Sequence, residues 1–85
     1  MLIENFSDAG HSWYAVRRTT ISCLGLLDKI SGFSYQKDKM VYLEEDYDAG
    51  LVLSALKKAG VNFERHYHKS TSGDSFVRSF NRFLA

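Results

Sequence analysis

Eighty-five residues, 45% hydrophobic and 14% aromatic, describe one folded domain spanning residues 1–85, with a single small core rather than disorder. Eleven basic and ten acidic side chains leave a formal charge of +1, which argues against a strongly charged nucleic-acid binder and against a wholesale DNA mimic. The one cysteine, Cys23, has no internal disulfide partner, no stretch reaches the roughly 20 apolar residues of a membrane span, and the opening residues lack a signal-peptide pattern, so a cytoplasmic protein is expected.

In chain order, LIENF and HSWYAVRR read as two strands around the polar turn SDAG. Trp13, Ala15 and Arg17 fall on one face of the second strand; Ser12, Tyr14 and Val16 fall on the other. RTTISCLGLLDKISG follows as a helix capped by Thr19 or Thr20, with Ile21, Leu24, Leu27 and Ile30 at near-helical spacing. Gly25 inside it loses about 1 kcal/mol against alanine, which suggests a close packing contact. Cys23, in the apolar run ISCLGLL, reads as a small buried hydrophobe.

FSYQ and MVYLEE flank KDK as a hairpin. DAGLVLSALKKAG is a second helix, capped by Asp46 or Asp48, with Val52, Ala55, Leu56 and Ala59 facing inward and Gly60 as terminator. VNFERHYHK is a further strand that puts His66 and His68 on one face. After STSGDS, the segment SFVRSFNRFLA coils again with Phe76, Phe80 and Phe83 on one side. The expected fold is α+β: a small, mainly antiparallel sheet, two helices packed on one face, and a short C-terminal helix or tail.

Four constellations carry polar chemistry. Glu44, Glu45, Asp46 and Asp48 surround Tyr47, a density that suits a hard cation, an acid/base pair or a helix N-terminus. Capping is preferred because it needs no further ligand, and no EF-hand spacing is present. His11, His66 and His68 offer imidazoles for a metal, but the donor set is loose and no metal or other cofactor is assigned. His11-Ser12 lacks any nucleophile motif, so an enzyme is the weaker reading. Arg65, Lys69, Arg78 and Arg82 interleave with Tyr67, Phe76, Phe80 and Phe83, a pattern that serves single-strand recognition or an amphipathic closing helix.

Several stretches in this order resemble a group of small, mostly uncharacterised proteins carried by phages, plasmids and other mobile elements of bacteria. Gly10, His11 and Trp13 match a Gly-His-x-Trp stretch, and Ile30, Ser31, Ser34 and Tyr35 match an Ile-Ser-x-x-Ser-Tyr stretch. Tyr42, Leu43, Glu44, Glu45, Asp46, Asp48 and Ala49 match Tyr-Leu-Glu-Glu-Asp-x-Asp-Ala; Val77, Arg78 and Phe80 fit the closing stretch loosely. The resemblance implies a genetic context rather than a reaction.

The functional expectation is a non-enzymatic accessory protein that binds and occludes a host or defence macromolecule in a bacterial cytoplasm. Its binding residues would come from Glu44, Glu45, Asp46, Tyr47 and Asp48 and from Arg65, Arg78 and Arg82. A nucleic-acid-binding module built on the basic-aromatic C-terminus is the alternative. No membrane partner is expected, and an acidic middle with a basic end also suits a homodimer.

Overall fold

The computed structural model describes all 85 residues. Alternating side chains make β1 (Leu2–Ser7) and β2 (Ser12–Arg17) an antiparallel pair, with Phe6 opposite Trp13 and Glu4 opposite Ala15. The turn between them is organised by Asp8, whose Oδ1 accepts the N–H groups of Gly10 and His11, each at 3.0 Å. β3 (Tyr35–Lys37) and β4 (Met40–Glu44) form the expected hairpin. Its turn places Asp38 at φ 53°, a left-handed conformation that aspartate tolerates better than most residues.

β4 pairs with the free side of β2, and two further strands close the sheet in the order β5-β1-β2-β4-β3-β6. β5 (Glu64–Tyr67) runs parallel to β1, whereas β6 (Asn81–Arg82) is antiparallel to β3. The fold is α+β, but the sheet is mixed, not mainly antiparallel as the sequence suggests. The chain returns from the second helix to the outer edge of β1, and that crossover sets a parallel direction.

Both faces of the sheet are covered. Ile3, Val16, Val41 and Leu43 share one buried cluster with Ile21, Val52, Leu53, Leu56 and Phe83. On the opposite face Trp13 and Tyr35 pack with Val77, and Phe6, Tyr42 and Phe80 close around them. No helix is long and apolar enough to cross a membrane.

The first helix is much shorter than its apolar spacing suggests: α1 spans Arg18–Cys23, and Leu27–Lys29 forms only a 3-10 turn. Gly25 is the reason. It lies at φ 72° with nothing within 4 Å of where a Cβ would stand, so its role is conformational and not close packing. The Gly25 N–H donates to the Ser22 carbonyl and the Leu26 N–H to the Ile21 carbonyl, which closes the last turn. Neither Thr19 nor Thr20 caps this helix; Arg17 occupies the cap position without a side-chain hydrogen bond. Cys23 is exposed, not buried.

α2 (Gly50–Lys58) ends as expected at Gly60, where φ is 76° and the Val61 N–H reaches the Leu56 carbonyl. Its buried residues are Val52, Leu53 and Leu56, and Ala59 is exposed. The C-terminal segment is not a helix with a phenylalanine stripe. A 3-10 turn, Phe76–Ser79, sends Phe80 to the Trp13 face, and β6 then sends Phe83 to the Ile21 face.

Candidate functional site

The run Glu44–Asp48 is a junction between β4 and α2, and it passes through a π-helical turn, Glu45–Ala49. Its carboxylates do not act together. Glu44, 3% exposed, is the helix cap: its Oε2 accepts the N–H groups of Asp46 (2.7 Å) and Tyr47 (3.1 Å). Asp48, 2% exposed, turns inward, where it accepts Ser31 N–H at 3.0 Å, Ser31 Oγ–H at 2.7 Å and the Ser34 hydroxyl. Neither Asp46 nor Asp48 is the cap. Glu45, Asp46 and Tyr47 face outward, and partial desolvation together with the neighbouring Asp46 and Glu44 charges pushes the Glu45 carboxyl up.

Ser34 joins the two buried acids, since the Glu44 N–H donates to its Oγ at 3.0 Å. The second oxygen of Glu44, Oε1, lies 3.3 Å from His11 Nδ1. His11 also belongs to the Asp8 turn, where the opposite end of the chain arrives. Arg78 donates from Nε (2.6 Å) and Nη2 (3.0 Å) to the two oxygens of Asp8, and Ser75 N–H adds a third donor at 2.9 Å. The Arg78 guanidinium, aided by the Ser75, Gly10 and His11 N–H groups, holds the Asp8 carboxyl far below the usual carboxylate range against the opposing effect of burial. Gly10 keeps this approach open, because a Cβ there would stand 3.1 Å from Arg78 Nη2.

These two networks enclose a recess of about 230 Å³ on the Trp13 face of the sheet. Trp13 and Tyr35 stand edge to face, 6.0 Å apart, with Arg78 over the indole at 5.2 Å and Arg82 over the phenol at 4.8 Å. His11 and Glu44 line one side of it. Phe33 and Tyr47, stacked at 4.2 Å and both more than half exposed, line it as well. The Trp13 Nε1 is the one buried side-chain polar atom without a hydrogen-bond partner.

The acidic middle and the basic end of the chain are therefore not opposite poles; Glu44 and Tyr47 meet Arg78 and Arg82 in one place. Arg65 is not part of it. It lies on β5 at the far edge of the sheet, over Phe63 at 5.4 Å, whereas Arg82 lies on β6 at the other edge. Arg78 and Arg82 do not share a helical face; the first is in the 3-10 turn and the second in a strand.

His66 and His68 do come together, with ring centroids 4.8 Å apart, but His11 does not join them: His68 stacks on Phe6 at 4.4 Å and meets Glu4 at 3.0 Å, whereas His11 meets Glu44. The one group of three potential metal ligands is His11, Glu44 and Asp46, with ligand atoms within 4.8 Å of one another. Glu44 spends one oxygen on the cap and the other on His11.

His11, Trp13, Phe33 and Tyr35, which line the recess, and Asp8, which holds Arg78 beside it, are not among the binding residues expected from the sequence. Asp8 was visible only as part of a polar turn, although Asp-x-Gly at a strand end signals a side-chain-organised turn. Phe33 reads as a strand residue but lies before β3 and packs on Tyr47. No family model, curated protein or solved structure matches this chain.

Proposed function

We propose that this chain is a small binding protein that occludes a site on another protein, a host or defence protein if the likeness to mobile-element proteins holds. The observation that carries this reading is the exposed Phe33–Tyr47 stack at the margin of a recess that bears both signs of charge. Exposed aromatics beside a guanidinium are the composition of a binding hot spot, where a few anchors supply most of the energy. A phosphate backbone presents one sign of charge only, and Glu44, Glu45 and Asp46 would repel it beside Arg82. A protein surface presents both signs. The separation of Arg65 from Arg78 and Arg82 also weighs against a continuous nucleic-acid track.

A further support is convergence. His11 and Trp13, Tyr35, Glu44, and Arg78 come from the four stretches that resemble mobile-element proteins, and all of them line the same recess.

The test is affinity capture from bacterial lysate with the tagged full chain, with and without nuclease, beside a Phe33→Ala/Tyr47→Ala double variant. Both side chains are more than half exposed, so the double variant should fold. A protein retained after nuclease and lost with the double variant supports the reading. Capture that depends on nucleic acid, or that ignores the double variant, overturns it.

A further inference from the structure

The recess is short of acceptors. Arg78 spends Nε and Nη2 on Asp8, leaving Nη1; Arg82 spends Nη1 on the Gly32 carbonyl at 3.1 Å, leaving Nε and Nη2. The Trp13 indole N–H is unpartnered. Glu44 Oε2, by contrast, already accepts two N–H groups, and its Oε1 lies 3.3 Å from His11 Nδ1. Arg78 has Asp8 as its counter-charge, whereas Arg82 has no carboxylate within 4.0 Å. Two guanidiniums over adjoining aromatic rings, only one of them neutralised, make a place for one negative charge with a planar pair of acceptors.

We propose that the recess is a carboxylate-binding subsite that receives an aspartate or glutamate side chain of the partner protein, held by Arg82 with the spare edge of Arg78. This rests on the protein-binding reading and names the chemistry of the contact. A carboxylate fits better than a phosphate group because Glu44 faces the same recess and opposes a dianion more strongly than a single charge. Glu45 and Asp46, exposed beside Tyr47, would repel a run of acids. The preferred partner segment therefore carries one acid at the recess and a basic or neutral residue next to it.

The chain has one tryptophan, so the Trp13 Nε1–H gives a single, assigned signal in a nitrogen–proton NMR spectrum. The full chain is titrated with N-acetyl-phenylalanyl-aspartyl amide, with the asparaginyl analogue and with inorganic phosphate. The expected result is a saturable shift of the indole signal with the aspartyl peptide, and affinity about tenfold or more lower for the asparaginyl peptide. Arg82→Gln should abolish that preference. Should the glutamine variant unfold, Arg82→Lys, which keeps the charge but loses the planar fork, must weaken the preference instead.

Equal response to the two peptides, no saturable response, or a preference that survives loss of Arg82 overturns the proposal. Tighter binding of phosphate overturns it in favour of a phosphate site. Any of these results obtained while lysate capture still depends on Phe33 and Tyr47 removes the subsite and leaves the protein-binding reading standing.

Discussion

Asp8 accepts five hydrogen bonds, from Gly10 N–H, His11 N–H, Ser75 N–H and two atoms of Arg78, with its side chain 3% exposed. Removing one partner of such a network leaves the others desolvated and unpaired, so Asp8→Ala should destabilise on the order of 3 kcal/mol, measured by urea unfolding at neutral pH. The same carboxyl gives a signed pH dependence. Its pKa is depressed in the folded state, so its contribution is complete above the unfolded value of about 4 and is lost as pH falls below it. Wild type should therefore lose stability more steeply than Asp8→Asn on acidification below about pH 4. If the two curves stay parallel, the Asp8–Arg78 pair is not what holds the turn. SDAG announces a turn, but its partner lies seventy residues downstream, at a position that local spacing cannot reveal.

The β4-to-α2 junction shows how an element divides a charged run. Capping was legible in the sequence, since acidic residues before an apolar helical pattern satisfy free N–H groups. Which acid caps was not legible. Ser31 and Ser34, brought over by the β3–β4 hairpin, draw Asp48 inward, and the cap passes to Glu44, two residues before Asp46. Glu44→Ala should cost about 1–2 kcal/mol by thermal or chemical unfolding, whereas Asp46→Ala should stay within about 0.5 kcal/mol. The reverse order would return the cap to Asp46. The β3–β4 hairpin and the Gly60 stop were readable for a related reason: a short polar break, KDK, between strand-like runs, and a glycine after the last apolar position, are local signals, although Lys37 joins β3 and leaves only Asp38 and Lys39 in the turn. The apolar spacing of Leu24, Leu27 and Ile30 misled, because these residues do pack partly against the main cluster without belonging to one helix.

At the scale of the molecule, the last ten residues decide whether the domain closes. Phe76, Phe80 and Phe83 mimic a helical stripe, but β6 exists only because Tyr35 and Gln36 offer it an edge, and no local signal carries that information. The parallel pairing of β5 with β1 was illegible on the same ground. Once placed, the segment serves both cores: Val77 is fully buried with Trp13 and Tyr35, and Phe83 is 4% exposed in the cluster of Ile21 and Leu56. Burying a valine and a phenylalanine contributes about 1.5–3 kcal/mol each, and a domain of this size has roughly 5–10 kcal/mol in all. The loss of Arg78 would in addition strand Asp8 without its cation. A chain ending at Ser75 should therefore lose its cooperative unfolding transition. Trp13, 1% exposed in the full chain, should then become open to iodide quenching, which should barely affect it in the intact protein. A truncated chain that unfolds cooperatively with its tryptophan still shielded would mean that the sheet closes without β6, and the recess would then be an appendage of the fold rather than a consequence of it.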